Sequence, residues 1–210
     1  MSRSLDHLLW AGADLDAAVS ELEARSGVRA VYGGSHPELG TRNALARLGD
    51  GAYLEVIAPD PSLAQGAFAE RLAGIAAPEL LMWAVRTDDA SAVVAQANAS
   101  GYGAVVVEGS RSRPDGRVLR WKQIFVTGHG AGPLVPFFIE WLDAEHPSLD
   151  APPGLALASF RIEGPLPHAL RTVFAALGVR VAVRKAPRER LVAELDTPKG
   201  RVTLASAATS

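Results

Sequence analysis

The sequence has 210 residues, of which 48% are apolar, so it can bury a sizeable core as one large domain or two small ones. Its formal net charge of -2 argues against a nucleic-acid partner or an anionic membrane surface. The absence of cysteine excludes disulfides, thiolate zinc sites and cysteine nucleophiles.

Residues 1–60 predict a βαβββ unit. The stretch "LDHLLWA" favours a strand, and Asp14 is a plausible N-cap for a helix whose apolar residues recur at helical spacing until Gly27. Three strand candidates punctuated by glycine-rich turns follow, namely "VRAVYGG", "TRNALARLGDG" and "AYLEVIAPD".

Residues 61–78 are rich in alanine and begin with proline, which predicts a connecting helix. The first pattern then restarts over residues 79–147, with a strand, a helix capped by Asp88 or Asp89, and three further strands. The five segments of this second βαβββ unit are "ELLMWAVRT", "ASAVVAQANASG", "YGAVVVEG", "RVLRWKQIFVTG" and "LVPFFIEWLD".

A third, smaller βαβββ-like unit is predicted over residues 154–210, after the proline-rich boundary "APPG". The repeat period of roughly 60 to 80 residues exceeds that of solenoids and propellers and suits a small α+β module. Because an odd module must pack against the first two or meet its counterpart across a dimer axis, a homodimer is one possibility. Thr203 stands where the other units carry an ionisable residue, so we expect a structural or interface role for this unit.

No apolar run reaches the length of a membrane span, and no secretory leader is recognisable at the N-terminus. We therefore expect a cytoplasmic protein with no membrane partner. A small-molecule ligand or substrate is the expected partner.

Glu55 interrupts the apolar strand "AYLEVIAPD", where an unpaired carboxylate would cost several kcal/mol. Glu140 stands in the corresponding last strand of the second unit, and His7 lies in the first strand of the first unit. Either glutamate could instead pair with an arginine, such as Arg42, Arg47 or Arg120, or face solvent, because strand neighbours alternate between faces. The same alternation argues against a contact between His7 and the adjacent Asp6.

A tandem βαβββ unit with histidine on the first strand and glutamate on the last resembles the vicinal oxygen chelate superfamily. The runs "SHPELGTRN", "YLEVIAPD" and "FFIEW" are similar to its glyoxalase-like domain family, over about residues 3–145. The resemblance implies an α+β fold in which tandem modules form a curved, cup-like mixed sheet with helices outside. It also implies a divalent metal held by residues of the first and last strands, and His7, Glu55 and Glu140 match those positions.

One imidazole and two carboxylates suit Zn, Mn, Fe, Ni or Co, and three protein ligands leave positions open for a chelating substrate. We therefore expect a metal-dependent lyase or isomerase acting on a small oxygenated molecule, with Glu140 as ligand or catalytic base. The first strand of the second unit, "LLMWAV", offers no fourth ligand, which argues against glyoxalase I activity. The alternative is a metal-free protein of the bleomycin-resistance type that binds an antibiotic-like or aromatic ligand.

Six further residues are candidate ligand contacts, although turn, cross-strand and core roles explain them as simply. They are His36, Thr41, Asn43, Trp83, Trp121 and Phe138. His36 could also supply a second imidazole if its loop folds over the cup. The segment "RSRPDGR", residues 111–117, is interpreted as a solvated hairpin loop, with an anion-binding or entrance loop as the alternative.

Overall fold

The computed structural model describes residues 3–49, 51–112, 116–142 and 145–207. Within these ranges the chain forms twelve strands and four α-helices of an α+β fold, with one curled sheet and a second, smaller one. No helix of this described part is long and apolar enough to cross a membrane.

The first unit has the predicted βαβββ order. Its elements are β1 (Leu5–Ala11), α1 (Leu15–Ser26), β2 (Val31–His36), β3 (Thr41–Arg47) and β4 (Tyr53–Pro59). Asp14 caps α1 by accepting a hydrogen bond from the backbone N–H of Ala17, and Gly27 ends the helix in the left-handed conformation at a φ of 77°. Both helix signals predicted from the sequence are confirmed.

The connecting helix α2 (Ala67–Ala73) is shorter than predicted, because it begins only after Gly66 and the preceding residues from 61 onward form turns and irregular chain. The second unit follows it with the predicted element order, and Asp89 rather than Asp88 caps its helix. Its elements are β5 (Glu79–Arg86), α3 (Ala90–Ala99), β6 (Gly103–Ser112), β7 (Val118–Thr127) and β8 (Phe137–Trp141).

The two units join into one closed barrel with strand order β1-β4-β3-β2-β6-β7-β8-β5. Each unit contributes the same four-stranded order, in which its first and last strands pair in parallel. Strands β1 and β5 form one seam between the units through an antiparallel ladder. The other seam, between β2 and β6, has a single register pair among the described residues, Ser35 with Ser112.

Alternation of side chains divides the apolar residues of the barrel into two sets. The inward set surrounds the barrel interior and includes Leu9, Ile57, Trp121, Phe137 and Ile139. The outward set packs beneath the helices and the C-terminal unit, and includes Leu8, Trp10, Leu54, Val56, Trp83 and Phe138. The interior is therefore a separate cluster from the main core.

The C-terminal unit has the predicted order of elements but not the strand order of the other two units. Its elements are β9 (Ala156–Gly164), α4 (Pro167–Ala176), β10 (Ala182–Lys185), β11 (Arg190–Thr197) and β12 (Gly200–Ala205), and its sheet has the order β10-β9-β11-β12. Here the first strand pairs with the second and third, whereas β1 pairs with β4 of its own unit. The sheet packs on the outside of the barrel, where Trp83 contacts Phe160 and Phe174 at ring-centroid distances of 5.0 and 6.1 Å.

Candidate functional site

A cavity of about 350 Å³ lies inside the barrel and falls within the size range of small-molecule sites. Among the described residues, the polar lining is formed by His7, His36, Asn43, Tyr53, Glu55, Arg71, Arg111 and Gln123. The remaining lining is apolar or aromatic and includes Met82, Phe125, Phe137, Ile139 and Trp141 from the second unit. One part of the cavity can therefore bind polar atoms while the other accepts an apolar group.

A β-bulge sets the position of His7. The pairing of β1 with β5 shifts register between Leu5 and His7, so that Asp6 is an extra residue in the strand. The bulge breaks the alternation of side chains, and the His7 Nδ1 atom lies 2.7 Å from the Asp6 Oδ1 atom. The prediction that neighbouring strand residues would point apart is wrong at this position for that reason.

Asp6 is fully buried and is surrounded by hydrogen-bond donors. Besides His7, its carboxylate accepts hydrogen bonds from Arg86 Nε at 2.9 Å, His146 Nε2 at 3.0 Å and Trp141 Nε1 at 3.2 Å. Burial raises the pKa of Asp6, but the hydrogen bonds and charges of His146 and His7 lower it more, so the pKa lies below its ordinary value. An ionised Asp6 accepts the hydrogen on Nδ1 of His7, so that Nε2 is the ring nitrogen that faces the cavity.

Glu55 faces this histidine from β4. Its Oε2 atom lies 3.6 Å from His7 Nε2, and its Oε1 atom accepts a hydrogen bond of 2.5 Å from Asn43 Nδ2. The residue is only 8% exposed, so its carboxylate is held in place rather than solvated. The carboxylate in the apolar strand thus faces an imidazole and an amide inside the cavity.

His36 ends β2 at the same cavity and is also buried. Its Nδ1 atom lies 3.1 Å from Thr41 Oγ1, and its Nε2 atom lies 4.0 Å from Glu55 Oε1. Burial lowers the pKa of His36, the charge of Glu55 raises it, and the charge of Arg111 lowers it, with a net shift below the ordinary value. Thr41 is fully buried and orients the ring of His36, although it does not line the cavity itself.

Arg111 is a cavity residue that the sequence analysis did not single out. It lies next to the last residue of β6, lines the cavity and is 5% exposed. Its Nη1 atom donates a hydrogen bond of 3.0 Å to Asn43 Oδ1. The first two residues of the segment 111–117 belong to β6 rather than to a loop, and residues 113–115, where the loop itself is predicted, lie outside the described residues. Alternation continued from Gly109 would have predicted that Arg111 points inward.

Besides Thr41, three predicted site residues lie outside the cavity, namely Trp83, Phe138 and Glu140. Phe137, Ile139 and Trp141 of β8 line the cavity, so Phe138 and Glu140 between them point to the opposite face. Phe138 is buried in the outer core, and Glu140 is half-buried there, in register with Lys122 of β7. Trp83 is likewise outward, and its indole N–H donates to the Leu134 carbonyl. The repeat predicts that Glu55 and Glu140 occupy corresponding strands, but a shift of one residue along a strand reverses the face to which a side chain points, and the repeat alone does not fix that shift.

Comparison with protein families identifies the fold's relatives. A family model of the glyoxalase-like domain matches residues 5–178, which is most of the chain. The chain belongs to the glyoxalase-like domain family. The predicted relationship to the vicinal oxygen chelate superfamily is confirmed with it. No curated protein matches the chain significantly.

Solved structures share this glyoxalase-like fold at low sequence identity. A hypothetical protein from Staphylococcus aureus has a TM-score of 0.69 at 12% identity, covering 98% of this chain and 86% of its own. A methylmalonyl-CoA epimerase in complex with methylmalonyl-CoA has a TM-score of 0.51 at 22% identity, covering 70% of this chain and 100% of its own. The Streptomyces coelicolor methylmalonyl-CoA epimerase has a TM-score of 0.50 at 23% identity, covering 69% of this chain and 98% of its own. At these identities the likeness establishes the fold.

The divalent metal implied by the superfamily can be tested against the donors of the barrel. The first and last strands of the first unit present His7 and Glu55, but those of the second unit present Met82, Phe137 and Ile139. His36 could be a third donor, but the Asn43 amide nitrogen lies 3.5 Å from its Nε2 atom and turns N–H groups, not lone pairs, toward that space. The described residues contain no group of three or more His, Asp or Glu able to hold a metal ion. The predicted ligand set of His7, Glu55 and Glu140 therefore does not fit.

Proposed function

We propose that the chain is a lyase or isomerase that moves a proton on a small oxygenated molecule bound in the barrel cavity. The observation that supports this most directly is the pair formed by His7 Nε2 and Glu55 Oε2. The two atoms lie 3.6 Å apart on a cavity wall, both residues are buried, and each is held from behind by a different partner, Asp6 or Asn43.

The distance between the two atoms is longer than a hydrogen bond, so a substrate hydrogen can approach either of them. In the proposed reaction Glu55 Oε2 takes a proton from a carbon next to a carbonyl group, and protonated His7 gives its Nε2 proton to the carbonyl oxygen. The C–H bond breaks and the enol forms. The enol oxygen then returns its proton to His7 Nε2, and Glu55 Oε2 gives its proton back to the substrate at a different position, which completes an isomerisation and restores both side chains. Asp6 stabilises the imidazolium form of His7 in this cycle.

The substrate is expected to have a polar end and an apolar body. The polar end would lie near His7, Glu55 and Arg111, where proton transfer takes place. The apolar body would lie against the second unit, where Phe125 and Phe137 stack at a centroid distance of 5.4 Å. Expulsion of water by such a body would strengthen the electrostatic interactions at the polar end.

A divalent cation is not part of this mechanism, because the second unit supplies apolar side chains at the positions where further ligands were expected. Elemental analysis of protein purified without chelator tests this point. Stoichiometric metal that is lost in His7→Ala but kept in Glu140→Gln would replace the acid–base pair with a metal site. A homodimer and a cytoplasmic location stay predictions from the sequence.

A metal-free binding protein is the second candidate, and the largely apolar cavity lining favours it. A measurement of ligand binding followed by a measurement of proton exchange separates the two functions. The chain contains two methionines, and Met82 lines the cavity, so a protein labelled with ¹³C-methyl methionine carries its own probe of ligand binding. A Met82→Leu variant assigns the signal, and phenylpyruvate, phenylacetate and 2-oxobutyrate are suitable first probes.

Probes that shift the Met82 methyl signal are then incubated in D₂O, and exchange of the hydrogen next to the carbonyl group is followed against buffer alone. A general base contributes about 10²- to 10⁴-fold, so Glu55→Gln is expected to lower the exchange rate at least about 100-fold while Met82 still reports binding. Binding without any protein-dependent exchange would contradict the enzymatic function and favour the binding protein.

A further inference from the structure

The side-chain oxygen of Asn43 accepts a hydrogen bond from a residue of the second unit. Arg111 enters the cavity from β6 and donates from Nη1 to Asn43 Oδ1 at 3.0 Å. A guanidinium group has only donors, so the amide must turn its oxygen toward Arg111. The amide nitrogen then faces the opposite way, where it donates to Glu55 Oε1 at 2.5 Å.

This chain of hydrogen bonds decides which carboxylate oxygen of Glu55 is engaged. Oε1 is bound by Asn43, and Oε2 is left toward His7. We propose that Arg111 is a positioning residue that acts through Asn43 to hold Glu55 in the orientation its reaction requires. The catalytic consequence rests on the function proposed above, whereas the orientation itself does not.

Gly33 on β2 provides the space for this contact. A Cβ atom at Gly33 would collide with Arg111 Nη1 and would come within 2.5 Å of Asn43 Oδ1, the two atoms that form the hydrogen bond. The backbone of Gly33 does not lie in the left-handed region, so alanine can adopt its conformation. We call the hydrogen-bonded series Arg111–Asn43–Glu55 the relay. Gly33→Ala disturbs the relay sterically while all three of its side chains keep their chemical identity.

The relay crosses the weaker junction of the barrel. Strands β2 and β6 share a single register pair among the described residues, Ser35 with Ser112, next to Arg111 in sequence. Arg111 thus links the second unit to the proton-accepting residue of the first unit. The inferred result is that Glu55 is correctly oriented only while β6 lies beside β2.

Nuclear magnetic resonance of the full chain tests this inference without a substrate. The chain has two asparagines, buried Asn43 and exposed Asn98, so ¹⁵N-asparagine labelling gives two side-chain amide groups. In the wild type the two Asn43 protons should be widely separated, because one is bonded to a carboxylate, and their exchange with water should be slow. Asn98 supplies the internal reference for an exposed amide.

Four variants give the expected and the contradicting results. In Arg111→Met and Gly33→Ala the Asn43 proton shifts should converge toward those of Asn98, and exchange should become at least about 10-fold faster, the change that the loss of roughly 1.4 kcal/mol of protection would produce. Arg111→Lys should restore part of the separation, since lysine also donates. Gly66→Ala, at a glycine with open space around it, is the control and should change nothing.

Unchanged Asn43 signals in folded Arg111→Met and folded Gly33→Ala would overturn the inference. A failure of the proposed function gives a different pattern, namely intact Asn43 signals in the wild type with no proton exchange on any bound probe. If the function holds and the positioning role is wrong, the wild type catalyses exchange and Arg111→Met does so at the same rate.

Discussion

At the scale of single residues, the site depends on Asp6. Its buried carboxylate receives hydrogen bonds from side chains that begin on β1, β5, β8 and the segment after β8. Hydrogen bonds to a charged group are about twice as strong as neutral ones, and their loss leaves several buried donors without an acceptor. Asp6 therefore fixes His7 and also ties the two units together.

Replacement of Asp6 by asparagine should cost about 3–5 kcal/mol of unfolding free energy, because arginine and histidine lose their buried counter-charge. Since its pKa is lower in the folded chain than the ordinary value of 3.8, the stabilisation is present above about pH 4 and is lost as the pH falls. Urea unfolding from pH 7 to pH 3 checks both points, with exposed Asp88→Asn as the control. A difference from the wild type that stays constant over this range would contradict the prediction.

His36 gives a second test at this scale. Because burial lowers its pKa below 6.5, the folded chain resists protonation and His36 contributes a loss of stability as the pH falls through that value. The charges of Glu55 and Glu38 raise this pKa and those of Arg111 and His7 lower it. Removal of one charge at a time therefore gives shifts of predictable sign.

Titration of the chain's five histidines by ¹H–¹⁵N spectroscopy measures the effect. Glu55→Gln should lower the pKa of His36 further, and Arg111→Met should raise it. Shifts of the same sign in both variants would show that His36 does not lie between these two charges.

At the scale of elements, β1 and β8 separate what the sequence predicts from what it does not. Turn glycines, helix caps and apolar periodicity are local signals, and they gave the βαβββ order of both barrel units. The facing of Glu140 depends on strand phase, and the contact of His7 with Asp6 depends on a bulge in the ladder with β5. Neither feature is encoded in the composition of its own strand.

The strand order of the C-terminal sheet also depends on the pairing of residues far apart in sequence. The local pattern of its elements therefore could not distinguish this order from that of the two barrel units.

Helix α2 covers the cavity and offers a prediction at this scale. Phe68 and Arg71 of this seven-residue helix line the cavity, and Leu72 is fully buried beneath it. Leu72→Ala should destabilise the chain by about 2–5 kcal/mol and broaden the Met82 methyl signal as the helix loosens. Val105→Ala, at a residue 52% exposed on β6, should change stability by less than about 0.5 kcal/mol. Equal effects of the two substitutions would contradict the covering role of α2.

At the scale of the whole molecule, the C-terminal sheet and the outer face of the barrel form one core. A single hydrophobic cluster contains Trp83 and Val85 of β5 together with Ile162, Phe174 and Leu191 of the C-terminal unit. Shared burial of this kind couples the unfolding of the two parts. The C-terminal unit would thus stabilise the outside of the barrel, while the site lies within it.

Phe174→Ala should lower the stability of the whole chain by about 3–5 kcal/mol and shift one common transition. Circular dichroism and tryptophan fluorescence during urea unfolding measure this, with Leu166→Ala, 70% exposed, as the matched control. Two separate transitions, with the barrel's transition unchanged by the substitution, would show that the units unfold independently.

The most direct test of the site compares two glutamates that stand at corresponding places in the sequence but face opposite sides of the barrel. Glu55 lines the cavity beside His7, and Glu140 points to the outer face of β8. For a probe that shifts the Met82 signal, the rate of its proton exchange in D₂O should fall at least about 100-fold in Glu55→Gln and stay within about two-fold in Glu140→Gln. An equal loss in both variants, or a loss in Glu140→Gln alone, would contradict the assignment of proton transfer to the pair of His7 and Glu55.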